Sequence, residues 1–297
     1  MNPTNGNEPL VPAEVLKAFP GRPEQAIDPQ IFNTMAFRHE IDHRLIDSMT
    51  SFLHAEFTGL QAVGMGNVVV GLSGGLDSVV VVRLCQLASG QRRRVQAVTV
   101  NLGRPGEAER VQAIRRTAEL LAVEHCVIEG ADLRSAALSA WPDQGPWSGI
   151  NLDTRLIQTL LFQVADASEA CVVATTDRSE HLLGRYTECF YGQVEPLAGL
   201  YKTEVVELGK RLGLLGLLVD ARPGCEDYWY DDQVLGASYE VIDPLLQLLV
   251  VEGRSPGWIA GRYGIQEAAW LDGLANRIAV QPLRVQPRAY PVPPNTP

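Results

Sequence analysis

A run of apolar residues is interrupted by a short polar segment in VVVGLSGGLDSVVVV, which covers residues 68–82. Glycines lack a Cβ atom, so the backbone amides around Gly74 and Gly75 can approach a bound anion closely. A helix that starts near Asp77 adds unpaired N–H groups and a favourable dipole. The segment therefore predicts a phosphate-binding loop, although it has neither the lysine of GxxxxGK(S/T) nor the spacing of GxGxxG.

Asp77 indicates what kind of ligand this loop binds. A carboxylate repels a polyphosphate unless a hard cation lies between them, and Mg²⁺ characteristically joins one or two carboxylates to substrate phosphates. We therefore expect Mg²⁺ together with a polyphosphate ligand. The alternative is structural: Gly74 and Gly75 form a tight turn between a strand and a helix, and Asp77 and Ser78 cap the helix.

The elements around the loop alternate between strands and helices. Short segments rich in β-branched residues predict strands, and apolar residues at helical spacing predict helices between them. The predicted strands are 67–72, 95–100, 125–129 and 171–176, and the predicted helices include 38–57, 107–122 and 151–167. This alternation predicts an α/β fold with a doubly wound parallel sheet.

The two ends of the chain differ in composition from this core. Residues 1–30 are rich in proline, asparagine and glycine. We expect an N-terminal arm at 1–36, one main α/β domain at 37–250, and a C-terminal helical segment with a proline-rich tail at 251–297. The tail from residue 280 onward is expected to form an extended or disordered arm, because its prolines exclude central sheet.

The composition is that of a globular protein. Of the 297 residues, 46% are hydrophobic and 20% are charged, which is enough to bury a full core. The formal charge of −10 argues against nonspecific nucleic-acid binding. The five cysteines show no CxxC spacing, which favours reduced thiols. Neither a signal-peptide pattern nor a run of about 18 apolar residues occurs, so we expect a soluble, cytoplasmic protein that binds neither nucleic acid nor membrane.

Several separated segments of the sequence resemble motifs of a known enzyme family. SGGLDS resembles the signature of the N-type ATP pyrophosphatases, which cleave ATP between its α and β phosphates, adenylate a substrate and release pyrophosphate. ATTDRSEHLLGRYTE (174–188), PLAGLYKTEVVELGKRLG (196–213) and DDQVLGASYEVID (231–243) are similar to segments of the ammonia-dependent NAD synthetases. Because the matches keep the family's order and cover about residues 40–245, the chain is identified as a member of this family.

The resemblance implies roles for particular residues. The phosphate loop would hold the β and γ phosphates of ATP, with Asp77 and Glu180 as Mg²⁺ ligands. Lys202 would contact the transferred phosphate groups, where a cation stabilises charge moving onto pyrophosphate. Without the resemblance, Glu180 is equally a surface residue at a helix start and Lys202 a solvated lysine. The residues implied in ATP binding are Ser73, Gly74, Gly75, Asp77, Ser78, Thr175, Thr176 and Lys202, with Asp77 and Lys202 as the catalytic candidates.

The acceptor side departs from the family pattern. Asp153 and Ile157 replace a lysine and an arginine of the family, and its C-terminal His-Lys-Arg retains only Arg277. Asp153 in place of a lysine both removes an attraction and adds a negative charge that would repel the diphosphate of the acceptor. A charge-assisted contact contributes roughly 1.5–3 kcal/mol, so we expect deamido-NAD, a dianionic diphosphate, to be a poor substrate. Arg155 can also be interpreted as an ordinary surface arginine. The residues implied to face the acceptor are Asn151, Arg155 and Arg178.

Other cations near the site differ from the family as well. After the second strand, the family has an arginine that contacts the nucleotide. The corresponding segment here, TVNLGRPGEAE, has Thr99 and a displaced Arg104 instead. We therefore expect different adenine contacts. Charges lost on the acceptor side could be compensated by basic residues close to the site in sequence. These residues are Arg178, Arg185 and Arg222.

The hypothesis is an ATP-dependent, amide-forming ligase of the NAD synthetase type that uses free ammonia or ammonia from a separate glutaminase. The resemblance implies a homodimer with helix 151–167 in the interface, although the spacing of its apolar residues fits a monomer core equally well. Those residues are Leu156, Leu160, Leu161 and Val164. Two alternatives stay open: a related amidoligase acting on a different small carboxylate in a specialised biosynthetic pathway, and a nucleotide-binding homologue without turnover.

Overall fold

The fold consists of one parallel sheet with helices on both faces and a further layer of helices behind its carboxyl edge. The computed structural model describes residues 16, 23–141, 145, 147–185, 187, 192–219, 222–225 and 229–285. A 3₁₀ turn at Pro29–Phe32 precedes the first long helix. In chain order the elements of the first part are α1 (His43–Gln61), β1 (Asn67–Gly71), α2 (Leu76–Ser89), β2 (Val95–Asn101), α3 (Glu107–Leu121), β3 (Glu124–Glu129), α4 (Ala131–Ala140), α5 (Ser148–Ala167), β4 (Ala170–Val173) and α6 (Arg178–Leu183).

The second part of the chain is mainly helical. A 3₁₀ turn at Leu215–Leu217 follows its first helix, and a π-helical turn at Gln247–Val251 follows its third. None of the described helices is long and apolar enough to cross a membrane. The elements are α7 (Lys202–Arg211), β5 (Gly224–Cys225), β6 (Trp229–Tyr230), α8 (Asp231–Leu235), α9 (Tyr239–Leu246), α10 (Pro256–Tyr263) and α11 (Ala268–Val285).

The four long strands form a parallel sheet in the order β3-β2-β1-β4. Within it, Val68 of β1 pairs with Val95 of β2 on one side and with Cys171 of β4 on the other. The chain runs outward from β1 to β3 and then returns to the opposite side of β1. Such a reversal of strand order opens a crevice at the carboxyl ends of the strands, where open α/β sheets bind ligands.

Both faces of the sheet are buried. Successive side chains of a strand point to opposite faces, so Val68 and Val70 pack with α1, α2, α3 and α7, whereas Val69 packs with Leu161 of α5. Burial on both sides explains why β1 is a continuous valine run and not an alternating pattern. The predicted doubly wound α/β fold is confirmed.

A second apolar cluster lies among the helices that follow the sheet. It joins Tyr201 and Ile242 to Ile259 of α10 and Leu271 of α11. The cluster therefore draws on residues from both sides of position 250, and the predicted division into an arm, a main domain and a C-terminal segment stays a prediction.

The predicted first helix, 38–57, starts too early. The structure begins α1 at His43, because the carboxylate of Asp42 accepts a hydrogen bond from the backbone N–H of Leu45 and caps the helix. The strand predicted over 171–176 is also shorter. It ends at Val173, and the residues after it form the loop that leads to α6.

The expectation of an arm from residue 280 onward is wrong for its first residues. Helix α11 continues to Val285, so the proline at position 282 lies within the helix, even though an interior proline disfavours helix. Residues 286–297 of the predicted tail, and most of residues 1–22, lie outside the described residues.

The cysteines that can be described are free thiols, as predicted. Cys85 and Cys171 are buried and Cys126 is half-buried. Burial raises the pKa of Cys171 to about 11, which keeps the thiol protonated. Cys189 and the side chain of Cys225 lie outside the described residues.

Candidate active site

The predicted phosphate loop lies between β1 and α2, at the carboxyl edge of the sheet. Its backbone turns sharply at Gly74, where φ is +84°. A Cβ atom at this position would lie 2.6 Å from Cγ2 of Val219, so only glycine fits. The loop ends at Gly75, the N-cap of α2, which places the free N–H groups of the helix start beside it.

The structural alternative for Asp77 does not hold. The N-cap position of α2 is Gly75, with no side-chain cap. Ser78 instead braces the loop internally, since its Oγ donates to the carbonyl of Gly75 at 2.9 Å and accepts from the N–H of Ser73 at 3.3 Å. The carboxylate of Asp77 points away from this network, toward a buried lysine.

That lysine is Lys202, whose ammonium group lies among three carboxylates. Its Nζ is 2.7 Å from Asp77 Oδ2, 2.9 Å from Asp177 Oδ2 and 3.2 Å from Glu180 Oε1. Lys202 is 2% exposed and Asp177 is 0% exposed. The structure thus brings together Asp77, Glu180 and Lys202, which sequence analysis singled out, and adds Asp177, which it missed.

Asp177 is held by the local structure of α6. Its carboxylate accepts from the N–H of Glu180 at 2.8 Å, and Glu180 accepts from the N–H of Asp177 at 3.1 Å. This reciprocal pair is a capping box, in which each side chain satisfies a backbone donor at the helix start. The Asp-x-x-Glu spacing at 177–180 is the sequence signal that could have identified the residue.

The charges in this cluster are unbalanced. Burial by itself lowers the pKa of Lys202, but the three carboxylates outweigh it and raise that pKa well above its ordinary value. Burial raises the pKa of Asp177 and of Glu180, and the lysine opposes this shift. Because one cation faces three acidic groups, the site favours a second cation.

Mg²⁺ fits this place. Asp77 Oδ1 is buried and accepts no hydrogen bond from the described residues, so a hard oxygen ligand is available. Glu180 flanks the same ammonium group from the other side. Within the described part of the chain, no group of three or more acidic, His or Cys side chains forms a complete metal site. Substrate phosphates would therefore complete the coordination, as Mg²⁺ prefers.

A buried carboxylate beneath the cluster positions Lys202. Asp243 accepts from Ser179 Oγ at 2.6 Å and from the N–H of Thr203 at 2.9 Å, and Ser179 Oγ accepts from the N–H of Lys202 at 2.9 Å. Asp243 is 0% exposed. Burial raises its pKa to about 6, although the hydrogen bonds from Ser179 and Thr203 oppose the shift.

We expect Asp243→Asn to alter the pH dependence of stability. A carboxyl group whose folded pKa is raised stabilises the fold when protonated, below its unfolded pKa of 3.8, and this contribution is lost as pH rises through about 6. Relative to the variant, the wild type should therefore lose on the order of 3 kcal/mol between acidic and neutral pH. Urea unfolding at a series of pH values measures this difference, and a constant offset between the two proteins would contradict it.

A cavity of about 340 Å³ extends from the phosphate loop along the carboxyl ends of β1, β2 and β4. Ser73, Asp77, Thr175, Thr176 and Glu180 line it, and its far wall is formed by α3, α5 and two tryptophans. Those tryptophans, Trp147 and Trp229, meet edge to face with ring centroids 5.9 Å apart. Four of the predicted ATP residues, Ser73, Asp77, Thr175 and Thr176, therefore line one continuous space next to the lysine cluster, whereas Gly74, Gly75, Ser78 and Lys202 are not among its lining residues.

The three predicted acceptor residues are placed differently. Asn151 lines the cavity and accepts from Thr187 Oγ1 at 3.1 Å. Arg155 is exposed on the outer face of α5, in a shallow depression that it shares with Phe162. Arg178 lies over the ring of Tyr201, 4.7 Å from its centroid, and is not among the residues that line the cavity.

The expectation that Asp153 adds an open negative charge is wrong. Asp153 is 2% exposed, and its Oδ1 accepts from Nε of Arg134 at 2.7 Å. The arginine lies on α4, so the ion pair forms only when α4 and α5 pack together. A buried pair of this kind neutralises the carboxylate within the chain.

Among the described residues, four arginines line the cavity: Arg185, which sequence analysis named as a possible compensating cation, and Arg104, Arg110 and Arg277. Arg185 forms an ion pair with Asp231, which also accepts from the hydroxyl of Tyr239 at 2.6 Å. Arg277 reaches the cavity from α11, and Arg110 reaches it from the first turn of α3. Arg104 also lines the cavity, where it forms an ion pair with Glu107 at an N–O distance of 2.6 Å.

Comparisons with known proteins agree with the motif resemblance. The profile of the NAD synthase family matches residues 45–275, which contain the phosphate loop and the lysine cluster. An NH(3)-dependent NAD(+) synthetase from Methanosarcina mazei is 32% identical over 225 residues, which are 72% of this chain and 86% of that protein.

Two solved structures share the fold. The NMN synthetase from Francisella tularensis superposes with a TM-score of 0.64 at 20% identity, covering 91% of this chain and 100% of its own. An NH3-dependent NAD synthetase from Campylobacter jejuni superposes with a TM-score of 0.64 at 22% identity, covering 89% of this chain and 100% of its own.

Proposed function

Since the chain belongs to the NAD synthase family and is therefore an ATP-dependent carbon–nitrogen ligase, we propose that it activates a carboxylate as its acyl-adenylate and converts it to an amide with ammonia. Mg²⁺ accompanies ATP. The ammonia is free or comes from a separate glutaminase, and the reaction takes place in the cytoplasm.

The observation that carries this proposal is the position of Lys202. Its ammonium group is buried 2.7 Å from Asp77, in the first turn of the helix that follows the phosphate loop. A cation at this position lies next to where the loop amides would hold the β and γ phosphates. It can stabilise the charge that moves onto pyrophosphate as the α–β bond breaks.

The proposed reaction has two steps. A carboxylate oxygen of the acceptor attacks the α-phosphorus, the bond between the α-phosphorus and the bridging oxygen breaks, and pyrophosphate leaves with the electron pair. Ammonia then attacks the acyl carbon, AMP leaves with the C–O electron pair, and the nitrogen loses a proton. Mg²⁺, held by Asp77 and Glu180, would stabilise the negative charge on the phosphates.

Deamido-NAD is the acceptor that the family membership supports. The neutralisation of Asp153 by Arg134 removes one argument against it. Arg277 and Arg185, the latter paired with Asp231, are basic residues that line the cavity. A different small carboxylate is the second candidate, because Arg155 and Arg178 do not line the cavity of the single chain. A panel of deamido-NAD, nicotinate mononucleotide and small carboxylates, compared by amide formation, distinguishes the two.

We expect ATP to be cleaved to AMP and pyrophosphate, in equal amounts, when Mg²⁺, ammonium and an acceptor are present. Cleavage at the α–β bond follows from holding the β and γ phosphates in the loop, so that pyrophosphate is the leaving group. Chelation of Mg²⁺ should abolish the reaction. Ion-exchange chromatography of the nucleotide products measures this. Formation of ADP and phosphate would contradict the proposal, and binding of ATP without any product would favour a homologue without turnover.

We also expect a homodimer. The apolar residues of α5 do not decide the question, because Leu160 and Leu161 are buried within the chain. The outer face of α5, with Arg155 and Phe162, is the part of this helix that a partner subunit could contact. Light scattering at micromolar concentration should give twice the chain mass of 32.4 kDa, whereas a mass of one chain at that concentration would contradict the dimer.

A further inference from the structure

The phosphate loop is held from its carbonyl side by three different parts of the chain. The carbonyl of Ser73 accepts from Nη2 of Arg110 at 2.8 Å, and that of Gly74 accepts from the N–H of Val219 at 3.0 Å. The carbonyl of Gly75 accepts from Ser78 Oγ at 2.9 Å. Arg110 is the one charged side chain in this set.

Fixing a carbonyl also fixes the next amide. In a trans peptide the C=O and the following N–H point in opposite directions, and the described residues contain no cis bond. The contact from Arg110 to Ser73 therefore turns the N–H of Gly74 away from α3. That N–H donates to none of the described residues, so it is available to an anion bound in the loop.

The position of Arg110 on α3 is set by the helix face that covers the loop. Glu107, Arg110, Val111 and Ile114 all line the cavity, at the spacing of one helical face. Ile114 lies 3.0 Å from the place where a Cβ atom on Gly74 would stand. The guanidinium group therefore lies against the loop, where it donates to the carbonyl of Ser73.

We propose that Arg110 is a positioning residue for polyphosphate binding. By holding the carbonyl of Ser73, it orients the loop amides toward the β and γ phosphates before the nucleotide binds. This inference rests on the proposed function, because it assumes that the loop binds the polyphosphate of ATP. It predicts that Arg110 strengthens the binding of ligands with a pyrophosphate group and does not affect the binding of a nucleotide without one.

Isothermal titration of the full chain with ATP, inorganic pyrophosphate and AMP, each with Mg²⁺, tests the inference. Arg110→Ala should weaken binding of ATP and pyrophosphate by about tenfold to a hundredfold, the range expected for one charge-assisted hydrogen bond, and leave AMP binding nearly unchanged. The control is Arg116→Ala, an exposed arginine on the same helix, which should change none of the three. Arg110→Lys should restore part of the affinity, and added guanidinium ion should restore part of it in Arg110→Ala.

The following outcomes overturn the inference. If Arg110→Ala and Arg110→Lys weaken the binding of all three ligands equally, Arg110 has a general structural role. If the affinities are unchanged, it has no role. Failure of the wild type to bind ATP at all would remove the proposed function and this inference with it. Normal ATP binding by the wild type, with no selective loss in the variants, would remove the inference alone.

Discussion

Replacing Asp77 by asparagine should lower the rate of AMP and pyrophosphate formation by about 10³-fold or more. The side chain is proposed to hold Mg²⁺ against the phosphates, and metal charge stabilisation contributes several kcal/mol to such a reaction, of which about 4 kcal/mol corresponds to 10³ in rate. Asparagine keeps the shape of the residue but removes its charge. Glu180→Gln should also lower the rate, because it removes the charge of the second proposed metal ligand. Glutamine preserves the capping box with Asp177, so the helix start should stay intact.

The matched control is Asp47→Asn, which removes an exposed carboxylate on α1. It should react at the wild-type rate. Initial rates of pyrophosphate release with saturating ATP, ammonium and acceptor give the comparison, and thermal unfolding shows whether each variant is folded. A folded Asp77→Asn protein that retains more than about a tenth of the wild-type rate would contradict the assignment of Asp77 as a metal ligand.

Replacing Lys202 by methionine should destabilise the fold by about 3–5 kcal/mol at neutral pH, because removal of one partner leaves buried charges uncompensated. Three carboxylates surround the ammonium group within 3.2 Å. The variant should also lose pyrophosphate release. Lys210→Met is the control on the same helix, since Lys210 is half exposed and 3.6 Å from its partner Glu207, a kind of pair that contributes about 0–1 kcal/mol.

The pH dependence gives this prediction a second readout. Without the lysine, the raised pKa of Asp177 and of Glu180 is no longer opposed by a cation. Acids with a raised folded pKa stabilise the fold when protonated and lose that contribution as pH rises through the folded pKa. The deficit of Lys202→Met should therefore shrink as pH is lowered. Urea unfolding in which Lys202→Met and Lys210→Met are equally stable at neutral pH would contradict the buried cluster.

The sheet and the phosphate loop could be predicted because their signals are local. The valine run of β1 and the two glycines that follow it lie within one short segment, and each residue type restricts the backbone where it stands. The position of Lys202 was predicted from a motif, but its ion pair joins residues 125 positions apart. Such a contact depends on how α2, α6 and α7 pack together, which no local pattern contains.

The errors at Asp153 and Arg110 have the same physical origin, whereas the error at Asp42 is local. Asp153 was interpreted as an open charge because its partner, Arg134, lies 19 residues earlier on a different helix. The early start of the first predicted helix came from ignoring a cap: Asp42 satisfies a backbone donor, and apolar spacing alone does not show where that happens. Arg110 was missed because a cation on a helix face becomes part of a site only when that face covers the loop.

The central claim is that the acceptor carboxylate is joined to the α-phosphorus of ATP before ammonia attacks. The most direct test uses an acceptor whose carboxylate carries ¹⁸O, chosen as the substrate that the panel identifies, and detects the label in the products by ³¹P NMR. The account predicts that ¹⁸O appears in the phosphate of AMP, because the acyl-adenylate breaks at its C–O bond, and that none appears in pyrophosphate. Unlabelled AMP, or label in inorganic phosphate released with ADP, would contradict it.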